Sequence, residues 1–135
     1  MNKRLLPTLA TLFALIPLAA AIAAGDASKQ ISTATAHAKM AAATKDIGMI
    51  HAHLHHVINC LVGPKGKRFD AKAEDPCKGM GNGAISDFAG PPAARAKLQM
   101  AVRTAESGIH DARYKGAHDA ALEVVKLIEK ASAPR

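Results

Sequence analysis

Bulky aromatic side chains are almost absent from this chain of 135 residues, which has no Trp, one Tyr and three Phe. Strand-rich cores depend on aromatic and β-branched side chains, and no strand-like alternation of polar and apolar residues occurs anywhere in the sequence. The most frequent residue is instead Ala, which has the highest helix propensity of all residues. These features exclude a β-sandwich and predict an all-α protein.

Known catalytic motifs are also missing. The sequence contains no G-x-S-x-G, P-loop or dinucleotide-binding motif, and no group of nucleophile, base and acid with a catalytic spacing. We therefore expect that the protein is not an enzyme. The net charge is +7, but the shortage of aromatic side chains that could stack on bases argues against nucleic acid as a partner.

Residues 1–23 have the pattern of a cleaved secretory signal peptide. Lys3 and Arg4 give a short charged start, an uncharged apolar run follows, and Ala21-Ile22-Ala23 supplies an Ala-x-Ala cleavage site. The apolar run is long enough for a retained membrane anchor, but the small residues at its end favour removal. Cleavage would leave residues 24–135 as a single helical domain in the periplasm.

The chain has only two cysteines, Cys60 and Cys77. An even pair of cysteines in an exported chain is typical of a disulfide, and thiolate binding to a soft metal is the alternative. Neither cysteine belongs to a C-x-x-C or C-x-x-C-H motif, so thioredoxin-like chemistry and covalent haem attachment are not indicated. The sequence predicts a Cys60–Cys77 disulfide and a long loop, rich in Gly and Pro, over residues 63–90.

The mature chain begins with a long apolar periodicity. From Asp26 or Ser28 to Val62 there is no Pro, and Gly48 is the single Gly. This stretch predicts one amphipathic helix about 50 Å long, with Gly48 as the site of any kink. Its predicted core face consists of Ala36, Ala43, Ile47, Ile50, Leu54, Val57, Ile58 and Leu61.

Two further apolar stripes follow the loop. One starts at Pro91-Pro92, which suits the first turn of a helix, and the other ends the chain. The two stripes are out of phase by about a third of a turn, so we place a break near Gly108 or Gly116. The predicted fold is an antiparallel bundle of three or four helices, with one long first helix and the disulfide-closed loop.

Four of the seven histidines lie within six residues of the first helix, namely His51, His53, His55 and His56. His51 and His55 are four residues apart and share one face of the helix. Two imidazoles at this spacing can bind one metal ion, as in the H-E-x-x-H motif, although the Glu of that motif is missing here. We therefore predict His51 and His55 as the primary metal ligands.

Further ligands have to come from elsewhere. His118 is the first choice for a third ligand because it lies beside an apolar stripe that should face inward, and His110 is the second. His53 and His56, with Met49 one turn before them, lie on the opposite flank and predict a weaker site. Imidazole suits copper, nickel and zinc ions.

The chain resembles the small metal-binding helical proteins of the bacterial periplasm in being Ala-rich, His-rich, helical and exported. The pairs His37-x-x-Met40 and Met49-x-x-x-His53 place a thioether beside an imidazole, and they are similar to short motifs of periplasmic copper- and silver-handling proteins. This resemblance implies a protein that buffers or carries a transition metal, either copper, nickel or zinc.

Two other functions are consistent with the sequence. The first is a haem-binding or electron-transfer bundle, with His51 or His55 and either His118 or a Met as axial ligands. The second is an envelope interaction or chaperone module that binds no metal. The expected partners are the metal ion and either another envelope protein or a second copy of the chain.

Overall fold

The computed structural model describes residues 25–133, and this part of the chain contains five helices and no strand. The helices are α1 (Ala27–Ala43), α2 (Ile47–Val62), α3 (Ala84–Asp87), α4 (Pro92–His110) and α5 (Tyr114–Ser132). The all-α prediction is therefore confirmed. The predicted signal peptide, residues 1–23, lies outside the described residues. Within residues 25–133, none of the helices has the length and hydropathy needed to cross a lipid bilayer.

The prediction of one long first helix is wrong, because the chain breaks between Ala43 and Ile47 into α1 and α2, which contact each other. The Asp46 side chain accepts a hydrogen bond from the Met49 amide at 3.2 Å, and the Asp46 amide donates to Thr44 Oγ1 at 3.2 Å. These local hydrogen bonds compete with a continuous helix and cap the start of α2. A turn thus forms here without any Gly or Pro.

The break changes the face that α1 buries. Ala36 and Ala43, which a continuous helix would direct at the core, are both exposed. The residues that α1 buries are Gln30, Ile31, Ala34, Ala38 and Ala41. In α2 the predicted face is correct, since Ile50, Leu54, Val57, Ile58 and Leu61 are all buried.

The second break falls between the two glycines at which it was expected. Helix α4 ends at His110 and α5 begins at Tyr114, so Gly108 and Gly116 both lie inside helices. A Cβ atom on Gly108 would lie only 2.8 Å from Leu54 Cδ1 and 2.8 Å from Ala120 Cβ. Gly108 therefore permits a close approach between helices rather than ending one.

Helices α2, α4 and α5 surround one apolar core together with α1. Helices α1 and α4 each contact both α2 and α5. The buried apolar residues that α4 and α5 contribute are Ala94, Leu98, Ala101, Val102, Ala105, Ala117, Ala121, Val124, Leu127, Ile128 and Ala131. Most are small, so the backbones of the four long helices can pack closely.

The Cys60–Cys77 disulfide is present, with a Cα–Cα distance of 5.1 Å, which confirms that prediction. A second attachment holds the same loop against α2. Asn59 is fully buried and donates to the backbone oxygens of Asp70 at 2.9 Å and Glu74 at 3.1 Å, while its Oδ1 accepts from the Asp70 amide at 2.9 Å. The segment from Asp70 to Cys77 is thereby fixed along the end of α2.

Candidate metal centre

Three histidines from two helices converge at one point of the structure. His37 on α1 lies with its Nδ1 atom 3.2 Å from His53 Nδ1 and 3.2 Å from His56 Nδ1, both on α2. One ring nitrogen from each of the three lies within 4.8 Å of the other two. We call these three residues the His triad.

The hairpin of α1 and α2 builds this cluster. His53 and His56 are three residues apart and therefore lie on the same face of α2. The turn at Thr44–Asp46 then folds α1 back so that His37 lies opposite them. A continuous helix would instead have placed His37 in line with His51 and His55, away from its present partners.

The spacing of the ring nitrogens suits a metal ion. Imidazole nitrogens bind zinc at about 2.0–2.1 Å, and two such ligands in a tetrahedral site are about 3.3 Å apart. The two nitrogen–nitrogen distances of 3.2 Å in the His triad are close to this value. All three ligand atoms lie within 4.8 Å of one another, so the rings could surround one ion after an adjustment of the side chains.

Hydrogen bonding alone does not satisfy the His triad. In a neutral imidazole, Nδ1 carries either one proton or one in-plane lone pair, so it can make only one good hydrogen bond. His37 Nδ1 nevertheless faces two nitrogens at the same distance, those of His53 and His56. A cation among the three nitrogens would satisfy all of their lone pairs together.

The environment favours the neutral rings that a metal requires. Burial lowers the pKa of His37 below its usual 6.5, and the neighbouring His56 and His53 lower it further. Burial likewise lowers the pKa of His56, with a further lowering from His53. Glu74 acts in the opposite direction on both pKa values, but its effect is the smaller one. Because only the neutral form binds a metal, these shifts keep the ligands available in mildly acidic solution.

The predicted primary pair, His51 and His55, lies outside the His triad, and the two side chains have separate partners. His51 Nε2 lies 3.2 Å from the backbone oxygen of Asp111 and joins α2 to the end of α4. His55 Nδ1 lies 3.2 Å from a carboxylate oxygen of Asp70 in the loop. Among the described residues, neither belongs to a group of three or more side chains that could bind a metal ion.

The remaining predicted ligands are also apart from the His triad. His118 is half-buried, and its Nε2 atom donates to the backbone oxygen of Ala42 at 3.0 Å, so its ring joins α5 to α1. His110 is exposed at the end of α4, and Met49 is exposed at the start of α2. The structure therefore joins His53 and His56, predicted as the weaker site, with His37, which was not among the predicted site residues.

A signal for His37 was present in the sequence. Thr44 and Asp46 flank a single residue between two apolar stretches, and both types of residue favour helix caps and turns. A turn at this point reverses the chain and brings residues before it opposite residues after it. That reading would have paired His37 with His53 and not with His51.

In comparisons with known proteins, the chain matches no family model, no curated protein and no solved structure. The geometry of the His triad is therefore the main guide to the function of the chain.

Proposed function

We propose that this protein binds a transition-metal ion, either copper, nickel or zinc, at the His triad and buffers or carries it without catalytic turnover. The observation that carries the proposal is the pair of contacts at His37 Nδ1, which lies 3.2 Å from the Nδ1 atoms of both His53 and His56. This convergence is unfavourable for three neutral rings alone and favourable with a cation among them.

A site with three histidines suits exchange of the ion. Within residues 25–133, the group that could hold a metal contains these three side chains and no further His, Cys, Asp or Glu. A tetrahedral ion would then have a fourth position for water or for a donor atom of another protein. Half-buried ligands and an open position support a carrier that receives and releases its ion.

The haem alternative that pairs His51 with His118 uses atoms that already have partners. His51 Nε2 and His118 Nε2 each lie at hydrogen-bonding distance from a backbone oxygen, 3.2 Å for Asp111 and 3.0 Å for Ala42. Axial binding to iron would require both rings to leave these positions. The His triad needs no such rearrangement, so we favour the metal ion.

We also propose that the protein is exported to the periplasm through the signal at residues 1–23, and that the four long helices form an antiparallel bundle. The Cys60–Cys77 disulfide supports export, because such bonds persist in oxidising compartments. N-terminal sequencing of the native protein should find a start near Ala24. An intact Met1 in a membrane fraction would instead indicate a retained anchor.

Two double variants test the metal site directly. We expect His53→Ala with His56→Ala to abolish the tightest binding of Zn²⁺, Cu²⁺ or Ni²⁺ in calorimetric titrations of the metal-free protein. His51→Ala with His55→Ala removes the same number of imidazoles from the same helix and should leave that binding in place. The single variant His37→Ala should weaken it strongly, because the third ligand comes from α1.

Any other pattern of results would contradict the proposal, and each pattern points to a different alternative. Loss of binding only in the His51 and His55 variant would assign the site to that pair. Equal losses in both variants would indicate a histidine cluster without defined geometry. No binding by the wild-type protein would favour the interaction module that takes no metal.

A further inference from the structure

A carboxylate from the disulfide-bonded loop lies beside the His triad. The Oε2 atom of Glu74 is 3.9 Å from His56 Nε2, the ring nitrogen on the far side from the His triad. The His56 side chain is only 12% exposed, whereas that of Glu74 is 88% exposed. The carboxylate thus approaches a nearly enclosed ring from the solvent side.

The loop is held in this position by contacts that do not involve the His triad. The backbone oxygen of Glu74 accepts a hydrogen bond from the buried Asn59 side chain at 3.1 Å. Three residues further along, Cys77 is bonded to Cys60 of α2. Both attachments are on α2, the helix that carries His56, so Glu74 and His56 are fixed to the same rigid element.

The chemistry of the imidazole ring gives Glu74 a specific role beside His56. When Nδ1 of a neutral histidine binds a metal, the proton resides on Nε2, and that N–H needs an acceptor. Carboxylates that accept this hydrogen bond fix the tautomer and orientation of the ring and make it a better ligand. In the structure, the charged group facing His56 Nε2 is Glu74.

We propose that Glu74 is a positioning residue of the metal site, which accepts the Nε2–H of His56 while His56 Nδ1 binds the ion. This inference rests on the proposed function of the His triad. It extends the site beyond the two helices to the disulfide-bonded loop. A shift of 1 Å or so in the exposed Glu74 side chain would convert the present distance into a hydrogen bond.

The test compares Glu74→Gln with Glu129→Gln, a matched control that removes the same charge from α5, where Glu129 pairs with Lys39. With Zn²⁺ as the probe, we expect Glu74→Gln to weaken binding about 10-fold, and Glu74→Ala by up to about 100-fold. Glu129→Gln should leave the affinity unchanged. The melting temperature of each metal-free variant should equal that of the wild type.

Nuclear magnetic resonance of the zinc-bound protein supplies a second readout. The His56 ring should be the Nε2–H tautomer, with a ring proton protected from exchange in the wild type and exposed in Glu74→Ala. Wild-type binding with unchanged affinity in both Glu74 variants would overturn the inference and leave the proposed function intact. Equal weakening in Glu129→Gln, or a lower melting temperature of the metal-free Glu74 variants, would also overturn it. Absence of wild-type binding would instead refute the proposed function.

Discussion

At the scale of single residues, the most informative atom is Nδ1 of His37. It faces two other imidazole nitrogens at 3.2 Å, and each of these nitrogens can take either a proton or a metal ion. Protons and metal ions therefore compete for the same lone pairs. The pH dependence of the metal-free protein and that of metal binding should follow from this competition.

We expect the free energy of unfolding of the metal-free protein to fall as the pH drops below about 6.5. The pKa values of His37 and His56 are lowered in the folded state, with burial as the main cause, while in the unfolded chain they return to about 6.5. Below that pH the unfolded state binds more protons than the folded state, so acid favours unfolding. The stability contributed by the two neutral rings is complete above pH 6.5. It is lost progressively as the pH falls towards the lowered pKa values of His37 and His56 in the folded state.

Urea unfolding at pH 7.5 and pH 5.5 measures this effect. Comparison with the double variant His37→Asn with His56→Asn isolates the two groups, because the variant lacks both titrating rings. We expect the loss of stability at the lower pH to be smaller in the variant than in the wild type. An equal loss in both proteins would assign the acid sensitivity to other groups.

At the scale of secondary-structure elements, apolar periodicity predicted the core face of α2 well, since its predicted residues from Ile50 to Leu61 are all buried. It failed for α1 because the chain reverses at Thr44–Asp46 through side-chain hydrogen bonds to the backbone. A periodicity carried across that turn assigns Ala36 to the core, although it is exposed. Which residues contact each other across a turn depends on the point at which the chain reverses. The spacing of apolar residues within one helix does not specify that point.

The same error determined which site the sequence could predict. The spacing of His53 and His56 marks them as neighbours on one helix face, and they were predicted as a site. Their third partner, His37, depends on the packing of α1 against α2. Local spacing therefore predicted two members of the His triad and missed the member on the other helix.

Gly108, which lies where α4 approaches α2 and α5, gives a prediction about the packing of these helices. Gly108→Ala places a methyl group 2.8 Å from atoms of Leu54 and Ala120, so the helices have to move apart. Overpacking of this kind costs about 1–3 kcal/mol, which should exceed the gain of up to about 1 kcal/mol in helix propensity. Chemical denaturation should therefore show a less stable variant.

The matched control is Gly48→Ala, in the exposed first turn of α2. Among the described residues, and apart from the backbone of its own helix, the atom nearest to the added Cβ is Oδ1 of the flexible Asp46 carboxylate, at 3.1 Å. We expect this variant to be as stable as the wild type or slightly more stable. If Gly108→Ala were equally well tolerated, α4 could not be as close to its neighbours as the structure has it.

At the scale of the whole molecule, the disulfide and the buried Asn59 hold the loop between α2 and α3, residues 63–83, against α2. This loop is about a sixth of the chain and contains no helix. Closing a loop of this length lowers the conformational entropy of the unfolded chain. In the chain-entropy account, the bond contributes about 3 kcal/mol to stability.

Reduction of the Cys60–Cys77 bond should therefore lower the melting temperature of the metal-free protein by roughly 10 °C or more. Differential scanning calorimetry with and without a phosphine reductant measures the change, and the double variant Cys60→Ala with Cys77→Ala should melt near the reduced wild type. An unchanged melting temperature would mean that Asn59 and its hydrogen bonds hold the loop without the disulfide.

The His triad also has a consequence for the order in which the chain folds. Its longest link, from His37 to His56, spans 19 residues, whereas the contact of Ala42 with His118 spans 76. Contacts of low sequence separation form first, because their loops are the cheapest to close. An ion bound by α1 and α2 alone would stabilise this hairpin before α4 and α5 are in place. The metal would then act as a nucleus for folding as well as a cargo of the finished protein.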